Sequence, residues 1–230
     1  MDKFNDTLFV IPARGGSKGL PGKNIKDLCG KPLIAYSIDV ARQFVDDKHI
    51  CVSTDSEEIK QVAENYGLIV PFIRPDYLAT DTATTNDVLV HAVNLFKQQG
   101  VNYKKLVLLQ PTSPLRTSQD VEGAMELYRD DIDMVVSVMI SHAPAVLCSE
   151  NESGFVELVY NKNAAGRQQL QDMYEFNGAV YVINVQALLD KGLSKFTKRV
   201  KYVMSKEHSV DIDDIYDFYQ VETILKNKTV

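Results

Sequence analysis

The chain is poor in the residues that would build a metal centre or a disulfide framework. Of 230 residues, only three are cysteine (Cys29, Cys51, Cys148) and four are histidine. The cysteines lie far apart, form no C-x-x-C pair and have no histidine at ligand spacing, which argues against a zinc site and a cysteine-stapled scaffold. They are expected as reduced thiols. Long apolar runs are also missing: the first spans only about six residues, shorter than a signal-peptide core, and none reaches the roughly 18 of a membrane span. A cytoplasmic protein with no membrane partner is expected. Basic charge is in deficit as well, with Lys+Arg 25 against Asp+Glu 31 and a net charge of −6. That balance argues against nucleic acid as a partner.

The remainder has an ordinary globular composition, 45% hydrophobic and 24% charged, sufficient for one full α/β core. Short apolar runs at Leu8–Ile11, Ile50–Ser53, Ile69–Phe72, Leu106–Leu109 and Met134–Met139 predict buried strands. Between them, Leu33–Phe44, Glu57–Tyr66, Val88–Gln98 and Val121–Arg129 have helical periodicity. Asp55 with Glu58 reads as a capping box, Gly67 as a helix stop, and Thr117–Asp120 as a helix start. This β-α-β rhythm predicts a three-layer α/β/α, Rossmann-like fold with a mostly parallel sheet and a ligand crevice beyond the carboxyl ends of its strands.

The rhythm fails from about Ser141 to Glu175, where Phe155–Tyr160 alternates between apolar and polar positions. That stretch is expected to be either an arm reaching a second copy or a surface hairpin. The chain then resumes with a strand at Ala179–Ile183, a helix at Gln186–Lys191, a strand at Val200–Met204 and an amphipathic helix at Ile215–Leu225. One domain over 1–230 with an insertion fits this order.

The most informative segment is I-P-A-R-G-G-S-K-G-L-P-G-K-N, Ile11 to Asn24, which leaves the first strand with four glycines, one arginine and two lysines. Glycine lets backbone N–H groups approach an anion, and Arg14, Lys18 and Lys23 supply charge, so the loop is suited to a polyphosphate. It is neither of two common phosphate motifs. Ser17 stands where a Walker A loop needs its first glycine, and Gly16, Gly19 and Gly22 are spaced three apart, unlike the dinucleotide fingerprint. Near the other end, S-V-D-I-D-D (Ser209 to Asp214) would send Asp211 and Asp213 to one face if extended, with Val210 and Ile212 opposite. Such a face suits a hard divalent metal, although Asp213-Asp214 also suits a helix cap.

Those two motifs, together with L-L-Q-P-T-S-P-L-R (Leu108 to Arg116), resemble the acylneuraminate cytidylyltransferases in sequence order. Weaker matches lie at Arg74–Ala83, Arg167–Gln169 and Asn177–Tyr181. Kdo cytidylyltransferases share I-P-A-R but carry Arg-x-Pro-Gly-Lys and lack the second motif. The resemblance implies a Mg²⁺-dependent transfer of CMP from CTP to a nonulosonic acid. It places Arg14, Gly15, Gly16, Ser17, Lys18 and Lys23 at the triphosphate, Asn24 and Thr85 at cytosine, and Arg74 beside the nucleotide. Gln110, Arg167, Asn177 and Tyr181 would face the sugar, and Asp211 and Asp213 would bind the metal. Arg14, Lys23, Gln110 and Asp211 would be the catalytic group, with Asp211 the first choice as base; His208 and His142 are expected to be structural. A homodimer is also implied. Where neuraminate-specific members place Arg and Lys, this chain has Glu175 and Val146, so Kdn, legionaminic or pseudaminic acid is expected beside N-acetylneuraminic acid as the acceptor. Rival readings are another sugar nucleotidyltransferase or a non-catalytic nucleotide-binding protein.

Overall fold

Residues 4–17, 19–80, 82–141, 146–159 and 173–228 are described by a computed structural model. At its centre six strands form one sheet: β1 (Thr7–Pro12), β4 (Ile50–Ser53), β5 (Lys105–Leu109), β6 (Met134–Ser141), β9 (Met173–Asn184) and β10 (Arg199–Val203), in the order β10-β6-β9-β5-β1-β4, while β2 (Asp27–Leu28) and β3 (Lys31–Pro32) make a short antiparallel pair of their own. Only β9 runs against its neighbours; the other pairings are parallel. The expected mostly parallel sheet is therefore present.

Period-two alternation sorts the strands' side chains onto two faces. Phe9, Ile11, Val52, Val107 and Val135 pack on one face with Ile38 of α1 (Leu33–Ala41), Ile59 of α2 (Glu57–Asn65) and Val121 of α4 (Ser118–Glu126). Leu8, Val10, Leu106 and Ile183 pack on the other with Leu89 and Phe96 of α3 (Thr85–Gln98) and Leu188 of α5 (Val185–Lys191). That is the three-layer arrangement. A third cluster joins Leu20 of the glycine-rich loop, Leu33, Leu115, Ile212, and Phe218 and Val221 of α6 (Ile215–Lys228). This cluster brings both ends of the chain to one edge of the sheet.

Four local expectations need correction. Ile69–Phe72 is not a strand: beyond the Gly67 stop (φ 87°) it runs without regular pairing outside the edge strand β4, with Val70 buried and Ile69 exposed. The cap of α2 is Ser56, whose hydroxyl accepts from the Ile59 N–H, because the Asp55 carboxylate is engaged elsewhere. Helix α1 ends at Ala41, short of Phe44. Strand β9 begins six residues before Ala179, and an irregularity opposite Ser137 conceals that extension from the sequence pattern. By contrast, Thr117 and Asp120 form a full capping box at α4.

Within the expected insertion, β7 (Cys148–Glu150) and β8 (Val156–Leu158) make a separate antiparallel hairpin. Tyr160, at the end of the alternating segment, and His142 lie outside the described residues. Among the described residues no helix is long and apolar enough to cross a membrane.

Candidate active site

The glycine-rich loop leaves the carboxyl end of β1, and Gln110 follows the carboxyl end of the adjacent β5. Between them lies a cavity of about 360 Å³ lined by Pro12, Arg14, Ser17, Gly19, Lys23, Asn24, Gln110, Pro111, Thr112 and Asp213. Residues from three distant motifs thus share one wall. The closure has identifiable contacts. Lys23 Nζ donates to the Ile212 carbonyl and lies 3.8 Å from Asp213 Oδ1, with its side chain only 12% exposed. The Ile212 N–H donates to the Thr112 carbonyl at 2.8 Å, tying the aspartate segment to the loop after β5.

The start of the glycine-rich loop is anchored from below. Asp55 Oδ1 accepts from the Gly15 N–H at 3.1 Å and from Arg74 Nη2 at 3.0 Å. Arg74 is buried and does not line the cavity; its link to the loop runs through Asp55. Asn24 is buried, and its Nδ2 donates to the Arg14 carbonyl at 3.0 Å, bracing the loop across its width. Ser17 lines the cavity, while Gly15 and Gly16 are exposed beside it.

Asp211, Gln110 and Gly178 converge behind the cavity. Gly178 has a positive φ of 74°, and a Cβ there would lie 3.7 Å from Gln110 Nε2 and 4.0 Å from Asp211 Oδ2. The carboxyl of Asp211 is raised above its ordinary range, first by burial and also by Asp213, against the opposing pull of Thr112 and Lys23. Burial, together with the Asp211 charge, also raises the Tyr181 phenol. Ile212 is fully buried in the third cluster and Val210 packs against it, as the alternation predicts. The two aspartates differ: Asp213 is 85% exposed, whereas Asp211 Oδ1 is buried, with the Thr112 hydroxyl nearby but no hydrogen bond of ordinary geometry.

That buried carboxylate oxygen beside a second, exposed carboxylate fits a hard divalent cation. Magnesium commonly takes one or two protein carboxylates and completes its shell with phosphate oxygens and water. Among the described residues no group of three or more His, Cys, Asp or Glu could hold a metal ion.

Other expected site residues are placed differently. Thr85 is exposed at the first turn of α3 and does not line the cavity. Asn177 is buried with its amide fully engaged: Oδ1 accepts from Ser137 Oγ at 2.6 Å and the Ala179 N–H at 3.2 Å, while Nδ2 donates to Ser209 Oγ at 2.9 Å and Met204 Sδ at 3.2 Å. Its hydrogen bonds secure the β9 irregularity and the turn before Asp211. Lys18 and Arg167 lie outside the described residues. His208 is held by Asp120 at 2.9 Å, the structural role expected of it. Sequence reasoning missed Asp55 as the loop's anchor; its position two residues after β4 at the same sheet edge was the available signal.

The chain matches the cytidylyltransferase family over residues 8–228. It is 39% identical over 220 residues to an N-acylneuraminate cytidylyltransferase of Streptococcus agalactiae, covering 93% of this chain and 52% of that protein. It is 35% identical over 231 residues to a CMP-N,N'-diacetyllegionaminic acid synthase of Legionella pneumophila, covering 95% and 96% respectively. The chain spans about half the length of the N-acylneuraminate cytidylyltransferases it matches. In fold it is similar to a CMP:2-keto-3-deoxy-manno-octonic acid synthetase complexed with CTP, with a TM-score of 0.70, 19% identity, and coverage of 96% of this chain and 99% of that one.

Proposed function

The chain belongs to the cytidylyltransferase family, and on that premise we propose that it transfers CMP from CTP to the anomeric 2-hydroxyl of a sialic-acid-like nonulosonic acid, releasing pyrophosphate. The observation that carries this reading is the cavity where the glycine-rich loop, Gln110 and Asp213 meet, with Lys23 spanning loop and aspartate segment. The reading treats 1–230 as one cytidylyltransferase domain.

In the proposed step, the acceptor's 2-hydroxyl oxygen forms a bond to the α-phosphorus of CTP. The bond from that phosphorus to the bridging oxygen breaks, and pyrophosphate leaves with the electron pair. Arg14 and Lys23 offset the triphosphate charge from fixed positions, so little reorganisation is needed as charge moves onto the leaving group. Asp211 accepts the hydroxyl proton, and Gln110 and Tyr181 orient the acceptor. Asp211 and Asp213 would hold Mg²⁺, whose contribution when bound is to offset phosphate charge.

Glu175 and Val146 direct the acceptor preference toward Kdn, legionaminic or pseudaminic acid. Glu175 accepts from Ser141 Oγ at 3.1 Å and exposed Val146 is uncharged, so neither offers the positive charge with which neuraminate-specific members would recognise the acid or its acyl group. In the same reading the protein is a cytoplasmic homodimer. The exposed Phe155, Val156, Leu158 and Val159 around β8 form the apolar surface that a second copy would cover. Phosphorus NMR of CTP mixed with each acid tests the transfer: the triphosphate signals should give way to one phosphodiester and pyrophosphate. Persistence of the triphosphate with every acid would contradict it.

A further inference from the structure

Arg116, at the end of Q-P-T-S-P-L-R, is a buried cation whose two Nη groups donate to neutral oxygens while its Nε has no hydrogen-bond partner. Nη1 donates to the carbonyls of Gln110 at 3.2 Å, Ser113 at 3.3 Å and Ala179 at 3.2 Å, and Nη2 donates to Ser37 Oγ at 2.7 Å. Ser37 Oγ in turn donates to the Gln110 carbonyl at 3.3 Å. Only 3% of Arg116 is exposed, and burial pushes its guanidinium down to about 10, with Asp120 pulling the other way.

A buried guanidinium without a carboxylate bonded to it is an expensive way to fill a core, since an apolar side chain of similar volume is often as stabilising or more so. Its acceptors suggest what the arrangement does. Gln110 directly follows β5 and Ala179 directly follows Gly178 in β9, so one planar fork links the two segments whose side-chain and backbone positions meet near Asp211. Ser37 fastens the fork to α1, a rigid element packed on the sheet. A flexible lysine ammonium cannot reproduce this planar geometry.

We infer that Arg116 is a positioning residue that sets the distance between Gln110 and the Gly178 turn of β9, and thereby orients the acceptor, without touching either substrate. For its kinetic consequence the inference rests on the proposed transfer to a nonulosonic acid; its structural half does not.

Two variants test it, Arg116→Lys and the milder Ser37→Ala, which removes one hydroxyl. Crystal structures without substrate should show Gln110 displaced from Gly178 in Arg116→Lys, or in Ser37→Ala if the first variant does not fold. Steady-state kinetics with CTP and the acid best used by the wild type, among N-acetylneuraminic acid, Kdn, legionaminic acid and pseudaminic acid, should show kcat/KM for the acid falling about 30-fold in Arg116→Lys, with the KM for CTP within about threefold. Ser37→Ala should show the same selective loss at about fivefold. An unmoved Gln110, or equal losses for both substrates in the variants that fold, would overturn the inference. If the wild type used none of these acids, the substrate reading would fail, and the crystal structures alone would decide the role of Arg116.

Discussion

Gly19 rests directly against the backbone carbonyl of Asp213, so closely that a Cβ added to Gly19 would overlap the carbonyl oxygen. The two residues come from opposite ends of the chain, and their contact brings the glycine-rich loop against the acidic segment. Gly19 is needed here for space, since its φ is not positive. Gly19→Ala is expected to move the aspartate segment and lower kcat/KM by about 10²-fold, because small displacements of reacting groups are costly. Circular dichroism should show unchanged secondary structure; activity within about twofold of wild type would show that the contact is dispensable.

Lys23 has two structural ties, to Ile212 and to Asp213, besides its place on the cavity wall. If the ammonium serves mainly the triphosphate, Lys23→Ala raises the KM for CTP at least about tenfold more than that for the acid. Equal losses would assign Lys23 to holding the loop and the acidic segment together.

For Asp211, the buried oxygen without a hydrogen bond of ordinary geometry is the feature that points to a cation. Asp211→Asn should reduce kcat by at least about 10²-fold and weaken the Mg²⁺ dependence of CTP binding measured by calorimetry. Normal turnover with an unchanged magnesium response would remove Asp211 from the metal site.

Burial tends to raise the Asp133 carboxyl, yet Lys191 Nζ at 2.7 Å and the N–H groups of Lys198 and Thr197 at 2.9 and 2.8 Å hold it at about 2. A carboxyl lowered in the folded state stabilises the fold above its unfolded value of 3.8, and that contribution disappears as pH falls from there through about 2. Asp133→Asn should therefore lower Tm by about 3–6 °C at pH 7, and the gap between variant and wild type should close toward pH 2. A gap constant across that range would mean that the charge contributes nothing.

The sequence made the sheet legible where strands are buried on both faces and β-branched or leucine-rich, as in Leu8–Ile11 and Leu106–Leu109, because periodicity reports burial. It misled at Ile69–Phe72, an apolar run that packs Val70 inward without entering the sheet. The site's outline was legible through glycine, lysine and aspartate at revealing spacings. What spacing could not convey was how a polar residue's hydrogen bonds are divided. Asn177 and Arg74 share motifs with site residues, yet one secures a strand irregularity and the other acts on the loop through Asp55. Arg116 looked like the tail of a motif because two of its four acceptors, Ser37 and Ala179, lie far away in the chain.

The central claim is that the shared cavity joins CTP to a nonulosonic acid. Its most direct test is pyrophosphate release from CTP by the purified protein, with and without Mg²⁺, across N-acetylneuraminic acid, Kdn, legionaminic acid and pseudaminic acid. The account predicts release only when CTP, Mg²⁺ and an acid are all present, with N-acetylneuraminic acid not the preferred acceptor. Release without any acid, or none with all four, would contradict it.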